Sequence, residues 1–272
     1  MPEGCCRPDL SLPAHHGLCW SCDMAYSYRH FLALYPGSAT TYDGHMFNHE
    51  EKAVTEMRLM HVDASPKRQL SNSKMLSAYF VESLKKQIPE LTVDYLDLSV
   101  DTPPHVTGDF AKATYTPAAE RTDAMKNTLA YSDKLCARVI MSDLLVFAMP
   151  MYNFSMPSSF KAFIDNLVRT NLTYNFHEDG TTTGNLTRQK TLFITTRGAD
   201  LRPGLSPWSH MDALTPALKS PFAFLGVENP WFVDAQPLQF SDQVAREEAL
   251  KRAHAELDDV VATWASSIAL AQ

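Results

Sequence analysis

A run of hydroxyl and amide side chains follows the first apolar segment of the main part of the chain. Residues 58–64 are mostly apolar, and residues 65–73 then read Ser-Pro-Lys-Arg-Gln-Leu-Ser-Asn-Ser before a helical pattern begins. The first turn of a helix presents unpaired amide hydrogens and the positive end of the helix dipole, so short donors at this point suit a phosphate. The alternative is a serine that only caps the helix. The candidate phosphate ligands are Ser65, Ser71, Asn72 and Ser73.

A second loop, residues 150–157, combines aromatic side chains with a restrained backbone. It reads Pro-Met-Tyr-Asn-Phe-Ser-Met-Pro. Pro150 ends a strand pattern, and Pro157 suits the first turn of the next helix. A loop with aromatic side chains on a rigid backbone fits a flat heteroaromatic ring whose polar edges bond to main-chain groups. The alternative is that Tyr152 and Phe154 are ordinary packing residues.

A third loop, residues 196–199, reads Thr-Arg-Gly-Ala and offers a glycine where the main chain could approach a ring. No G-x-G-x-x-G follows the first strand pattern, and the chain has no G-x-x-x-x-G-K-[ST] motif. These absences argue against a dinucleotide-binding Rossmann domain and against a nucleotide triphosphatase. A mononucleotide remains the ligand class that fits all three loops.

Each of these loops follows a strand in an alternating pattern of strands and helices. The strand patterns cover residues 58–64, 91–98, 143–149, 190–196 and 231–235. Helical patterns lie around residues 75–84, 160–168 and 214–225, and at residues 122–139 and 242–270. The alternation predicts an α/β fold, a doubly wound parallel sheet with helices on both faces. In such a sheet, ligands bind outside the carboxyl ends of the strands, where the strand order reverses.

Composition excludes several classes of function. The chain of 272 residues is 45% hydrophobic and 20% charged, with a formal net charge of -7, which is typical of one large globular domain with an appendage. No cluster of Lys or Arg stands out, so we expect no nucleic-acid partner. No apolar run approaches the roughly 20 residues of a membrane span, and the start of the chain lacks a signal-peptide pattern. We therefore expect a cytoplasmic protein with no membrane partner.

The first 56 residues differ in composition from the rest. They hold four of the five cysteines and show neither helical nor strand periodicity. We predict an extension at residues 1–56 that is disordered or lies upstream of the natural start, and one domain at residues 57–272 that begins at Met57. The alternative is a zinc site, since Cys19 and Cys22 have C-x-x-C spacing and further Cys and His residues lie nearby. For Cys136, inside a helical pattern, we expect a buried, inert thiol.

The three loops, in this order and spacing, resemble those of the FMN-dependent NADH azoreductases, a family also known as NAD(P)H quinone oxidoreductases. The resemblance covers about residues 57–268, and Pro-Met-Tyr-Asn-Phe at 150–154 is its most specific motif. It implies a flavodoxin-like fold, FMN as cofactor and NADH as electron donor, with the serine-rich loop on the FMN phosphate. It further implies isoalloxazine contacts from Met151, Tyr152, Asn153 and Phe154, and a pyrimidine edge lined by Thr196, Arg197, Gly198 and Ala199. Family members usually have a second glycine where this chain has Ala199.

The resemblance also implies an activity, the two-electron, ping-pong reduction of azo compounds and quinones. No side-chain nucleophile or metal is needed, because a flavin carries the hydride chemistry. Phe176 and Phe224 would wall the acceptor site. We also predict a homodimer with this pocket at its interface, because Tyr174, Phe176, Phe222 and Phe224 are many aromatic rings to bury within one flavodoxin-sized core.

The main alternative is a flavodoxin-type electron carrier without its own small-molecule substrate. The long insert at residues 171–184 and the aromatic pocket favour an enzyme. The sequence leaves open whether azo compounds or quinones are the physiological acceptor, and whether NADH or NADPH is preferred.

Overall fold

The structure is a computed structural model that describes residues 57–67 and 71–270. Its main sheet is built from β1 (Arg58–Asp63), β2 (Thr92–Asp97), β3 (Leu144–Pro150), β6 (Lys190–Thr196) and β7 (Trp231–Ala235). A separate antiparallel hairpin contains β4 (Tyr174–Phe176) and β5 (Thr182–Gly184). The main strands are all parallel, in the order β2-β1-β3-β6-β7. The five predicted strands and the predicted doubly wound α/β sheet are confirmed.

Helices connect these strands on both faces of the sheet. In the described part of the chain they are α1 (Asn72–Gln87), α2 (Gly108–Tyr115), α3 (Asp123–Met141), α4 (Ser158–Leu167), α5 (Leu214–Phe224) and α6 (Gln243–Ala269). Four begin at a residue whose side chain accepts a hydrogen bond from an amide three positions on. These capping residues are Ser71, Thr107, Thr122 and Asp242. The caps satisfy amides that a helix cannot pair by itself.

An apolar core lies on each face of the sheet, because successive residues of a buried strand point to opposite sides. On one face, β1 and β3 contribute Leu59 and Val146, against α1 and α6. There the ring of Phe80 packs edge-on against the fully buried Trp264, with centroids 5.4 Å apart. The other face carries Phe147 against α3, α4 and α5. Near-continuous apolar strands are therefore explained by burial on both sides.

Two elements go beyond the sequence-based expectations. Helix α2 lies in the connection that the sequence shows only as proline-rich; it is short, and the packing of Phe110 and Ala113 near Leu129 holds it in place. The β4–β5 hairpin has strands of only three residues each, which are too short to show a strand pattern in the sequence. The apolar spacing around residues 75–84 predicts that Met75 lies on the buried face of α1, but its side chain is 53% exposed.

Some predictions fall on residues that the structure does not describe. The extension at residues 1–56, its zinc alternative and the domain boundary at Met57 stay predictions for that reason. Within the described residues, no cluster of three or more His, Cys, Asp or Glu is arranged to hold a metal ion. No helix among the described residues is long and apolar enough to cross a membrane. Cys136 is a buried free thiol, as predicted, and burial raises its pKa to about 12.

Candidate functional site

Three loops meet at the carboxyl ends of adjacent strands. The chain runs from β1 outward to β2, returns to β3 on the other side of β1, and continues outward through β6 and β7. The strand order therefore reverses between β1 and β3, which is where open α/β sheets bind ligands. The loops after β1, β3 and β6 are the serine-rich, aromatic and glycine-containing loops described above. The observed strand order thus brings the three candidate segments to one edge.

The first loop has the groups that an anion site needs. Ser65, Ser71 and Ser73 are all buried. The Ser71 hydroxyl accepts from the Lys74 amide at 3.4 Å and lies 3.2 Å from the Ser73 hydroxyl. The first turn of α1 contains no acidic residue. Ser71 is therefore a helix cap, and the helix terminus beside it also remains electrostatically suited to an anion.

A cluster of polar side chains at the end of β1 was missed by sequence reasoning. The buried Asp63 carboxylate accepts hydrogen bonds of 2.8 Å from the hydroxyls of Ser77 and Tyr95. His61 Nε2 lies 3.3 Å from the same carboxylate. Burial and the neighbouring Asp63 charge raise the pKa of Tyr95. The sequence does contain a signal for this cluster. His61 and Asp63 are polar residues two positions apart in an otherwise apolar strand, so their side chains lie on the same face.

Lys74 and Asp97 form an ion pair near the same loop. The Lys74 ammonium lies 2.6 Å from the Asp97 carboxylate, and both side chains are largely buried. Burial alone would raise the pKa of Asp97, but hydrogen bonds from Lys74 and from Ser99 hold it below its ordinary value. The positive charge of Lys74 is therefore already compensated within the protein.

The second loop contains a tight two-residue turn. The Tyr152 amide donates to Ser155 O at 2.9 Å, and the Ser155 amide donates to Tyr152 O at 3.0 Å. Between them, Asn153 and Phe154 have φ angles of 47° and 68°. Two consecutive positive φ angles inside such a pairing define a type I′ turn. Asparagine tolerates this conformation, whereas a phenylalanine there is strained, and such strain concentrates at binding and catalytic sites.

The turn presents its main chain and joins the neighbouring loops. In the described part of the chain, no protein acceptor faces the Asn153 amide. The Met151 amide donates to Thr196 O at 2.8 Å, and Phe154 O accepts from the Ala213 amide at 3.1 Å. The second loop is thus tied on both sides, while Tyr152 and Phe154 stay substantially exposed. Because these two rings are exposed at the end of a strand, a role in contacting a ligand is favoured over a role in ordinary packing.

The third loop is anchored by the Arg197 side chain. Its guanidinium is fully buried and points into the protein, 2.5 Å from the Asp234 carboxylate and 3.0 Å from that of Asp212. Its amide and carbonyl are bonded to Ala235 and Leu238. Arg197 therefore holds the loop in place, while its buried Nε has no hydrogen-bond partner among the described residues.

Gly198 and Ala199 keep the main-chain groups that a ligand edge could use. Among the described residues, no acceptor faces either amide. A Cβ atom on Gly198 would lie 2.9 Å from the Phe240 ring. A side chain at this position would therefore require the exposed Phe240 ring, which covers this loop, to move aside.

The two residues predicted to wall an acceptor site lie on different elements. Phe176 is in β4 and Phe224 ends α5, and both rings are exposed. Phe224 packs on Tyr174, with ring centroids 4.8 Å apart. The prediction that Phe222 resists burial within one core was wrong: it is fully buried between Phe147 and Phe193. The helical repeat explains this, since residues 222 and 224 lie on different faces of α5.

The fold and the three loops define a flavodoxin-like α/β protein with a candidate mononucleotide site at its switch point. Comparison with known families agrees, because a family model described as "Flavodoxin-like fold" matches residues 57–261. The chain belongs to this family.

Two relatives of this chain are both named FMN-dependent NADH:quinone oxidoreductases. An FMN-dependent NADH:quinone oxidoreductase of Nostoc punctiforme is 34% identical over 208 residues, which are 76% of this chain and all of that protein. An FMN-dependent NADH:quinone oxidoreductase of Trichormus variabilis is 35% identical over 211 residues, covering 78% and 99% of the two chains. The structure of a Bacillus anthracis FMN-dependent NADH-azoreductase in complex with FMN superposes with a TM-score of 0.68 at 23% identity, over 77% of this chain and 99% of that one. That structure supports the fold.

Proposed function

We propose that this protein is an FMN-dependent NADH oxidoreductase that reduces quinones and azo compounds by two-electron, ping-pong transfer. The observation that carries the proposal is the meeting of three loops at the switch point. One is suited to a phosphate, one presents an aromatic turn, and one offers free amides. The relatives that align over almost their full length are named FMN-dependent NADH:quinone oxidoreductases.

The residues present fit FMN. The buried serines and the acid-free first turn of α1 match a phosphate. The exposed side chains of Tyr152 and Phe154 suit the faces of a flat ring, and the amides of Asn153, Gly198 and Ala199 suit its polar edges. When bound, FMN supplies hydride transfer from a nicotinamide to an acceptor.

The protein's own residues bind and orient the reactants. The Met151–Thr196 and Phe154–Ala213 hydrogen bonds fix the turn relative to the neighbouring loops. The Arg197 ion pairs fix the third loop to β7. A flavin ring held by these loops with one face accessible would allow NADH and the acceptor to bind in turn at the same face, as a ping-pong cycle requires. No side chain is assigned a catalytic proton transfer.

The proposal extends to assembly and location. A homodimer is supported by the exposed rings of Phe176 and Phe224, and by further exposed apolar side chains at Leu205, Trp208 and Phe240. Light scattering during gel filtration tests it, and a monomer fully active at high dilution would contradict it. A cytoplasmic location is proposed because residues 57–272 contain a single cysteine, and so no disulfide framework of their own, and because no spanning helix lies among the described residues.

The test begins with the purified full-length protein. We expect a yellow protein that releases FMN on denaturation, identified by mass. Under anaerobic conditions it should oxidise more than one equivalent of NADH per flavin only when a quinone or an azo dye is present. Parallel lines in double-reciprocal plots would support the ping-pong order. Release of FAD would contradict the single phosphate site. A flavin that accepts electrons only from a protein donor would favour the flavodoxin-type carrier instead.

A further inference from the structure

A single arginine connects the last helix to the serine-rich loop. Arg246, in the first turn of α6, donates from Nη2 to Asn72 Oδ1 at 3.0 Å. Asn72 is the first residue of α1 and lies beside the capping Ser71. The two residues are 174 positions apart, so the contact exists only because α1 and α6 cover the same face of the sheet.

The contact fixes the orientation of the Asn72 amide. A guanidinium can only donate hydrogen bonds, so the atom facing Arg246 must be the side-chain oxygen of Asn72. The Nδ2 group then points away from Arg246, with its two hydrogens available to another acceptor. In the described residues, no acceptor is bonded to it. Arg246 therefore prepares a donor at the start of α1.

Arg246 also differs in its charge balance from Lys74, a cation in the first turn of α1. Lys74 is paired with Asp97 at 2.6 Å. Arg246 has no carboxylate within ion-pairing distance in the part of the chain that the structure describes. Of its acidic neighbours in sequence, Asp242 accepts from the Ala245 amide and Glu247 from Gln243, and neither these nor Glu248 forms an ion pair with Arg246. An uncompensated guanidinium at an anion-suited loop attracts a phosphate, which carries about two negative charges at neutral pH.

We propose that Arg246 is part of the phosphate end of the cofactor site, where it orients Asn72 and supplies the positive charge that Lys74 does not. This inference rests on the proposed function, since the anion is the phosphate of FMN. The sequence alone does not indicate this role, because Arg246 is one of several polar residues at the start of α6. The charge of Arg246 contributes more to phosphate binding than its orientation of Asn72 does.

The test compares FMN with riboflavin, which has the same ring and ribityl chain but no phosphate. Dissociation constants are measured by fluorescence quenching for the flavin-stripped full-length protein and for Arg246→Met, Arg246→Gln and Arg246→Lys. For Arg246→Met we expect FMN affinity to fall about tenfold, equal to about 1.4 kcal/mol, with riboflavin affinity changed by less than about twofold. Arg246→Gln keeps a donor without the charge and should lose nearly as much. Arg246→Lys should retain most of the affinity.

Controls separate this role from general effects of charge or folding. Lys251→Met removes a positive charge from an exposed position on the same helix and should leave the FMN-to-riboflavin preference unchanged. The FMN affinity of the wild type should also fall with added salt more steeply than that of Arg246→Met. If the wild type binds FMN, two results would overturn the inference. One is an unchanged preference of Arg246→Met for FMN over riboflavin, and the other is a loss of FMN affinity in Lys251→Met equal to that in Arg246→Met. A wild type that binds neither flavin overturns the proposed function and this inference together.

Discussion

The type I′ turn at Asn153 predicts an order of effects among three substitutions. Glycine adopts the positive φ of this position freely and keeps the amide, so Asn153→Gly should leave hydride transfer and FMN affinity close to wild type. Alanine keeps the amide but costs about 1 kcal/mol in a left-handed conformation. Asn153→Ala should therefore retain most FMN binding and lose only a modest part of the rate.

Proline at the same position should be far more damaging. Its ring fixes φ near −65°, so the turn must change hand, and it restricts Tyr152 as well. Such a turn can keep the bond from the Ser155 amide, but it loses the bond from the Tyr152 amide to Ser155 O. The Asn153 donor is also lost. Two hydrogen bonds of about 1 kcal/mol each correspond to a rate about 30-fold lower if both act in the transition state.

The rates are measured by stopped flow, following flavin bleaching by NADH in FMN-saturated protein. Saturation prevents loss of cofactor from being mistaken for loss of chemistry. Circular dichroism and thermal unfolding of each variant check that the fold is intact. Equal rates for the wild type and Asn153→Pro would show that the loop serves only packing, and a slow Asn153→Gly would show that the side chain matters more than the amide.

Three further predictions follow from other parts of the structure. Arg197→Met removes the hydrogen bonds that the buried guanidinium donates to the partly exposed carboxylates of Asp212 and Asp234, so the free energy of unfolding in urea should fall by about 1.5–3 kcal/mol; a loss below about 0.5 kcal/mol would contradict the buried network. The pKa of Asp212 is below its ordinary value of 3.8, because hydrogen bonds from Thr215 and the Arg197 charge outweigh its burial. Such a group stabilises the fold above its unfolded pKa, and this contribution is lost as the pH falls through the lower folded value, so thermal stability should drop below about pH 4 and less so in Arg197→Met. Removing residues 1–56 should leave FMN binding and NADH-dependent activity intact; an insoluble product, lost flavin or stoichiometric zinc in the full-length protein would show that the segment is structural.

The position of the site was predictable from the sequence because it depends on where strands end. Apolar runs at residues 143–149 and 190–196 ended within one residue of β3 and β6. The geometry of the second loop was not predictable in the same way. Type I′ turns are recognised by Asn-Gly or Asp-Gly pairs, and this chain has phenylalanine at the second position. Only the surrounding hydrogen bonds, from Met151 to Thr196 and from Ala213 to Phe154, hold that residue in a conformation its side chain disfavours.

Arg197 shows what sequence pattern cannot supply. An arginine in a loop at a ligand-binding edge is expected to face the ligand, and no local signal indicates otherwise. Its partners Asp212 and Asp234 are 15 and 37 positions away. They reach it only because β7 pairs with β6 and the loop returns to begin α5. The same ion pairs fix both ends of the segment between residues 197 and 212, so the amides of Gly198 and Ala199 are held in place before any ligand arrives. The arginine thus contributes to the site by fixing the backbone beside it.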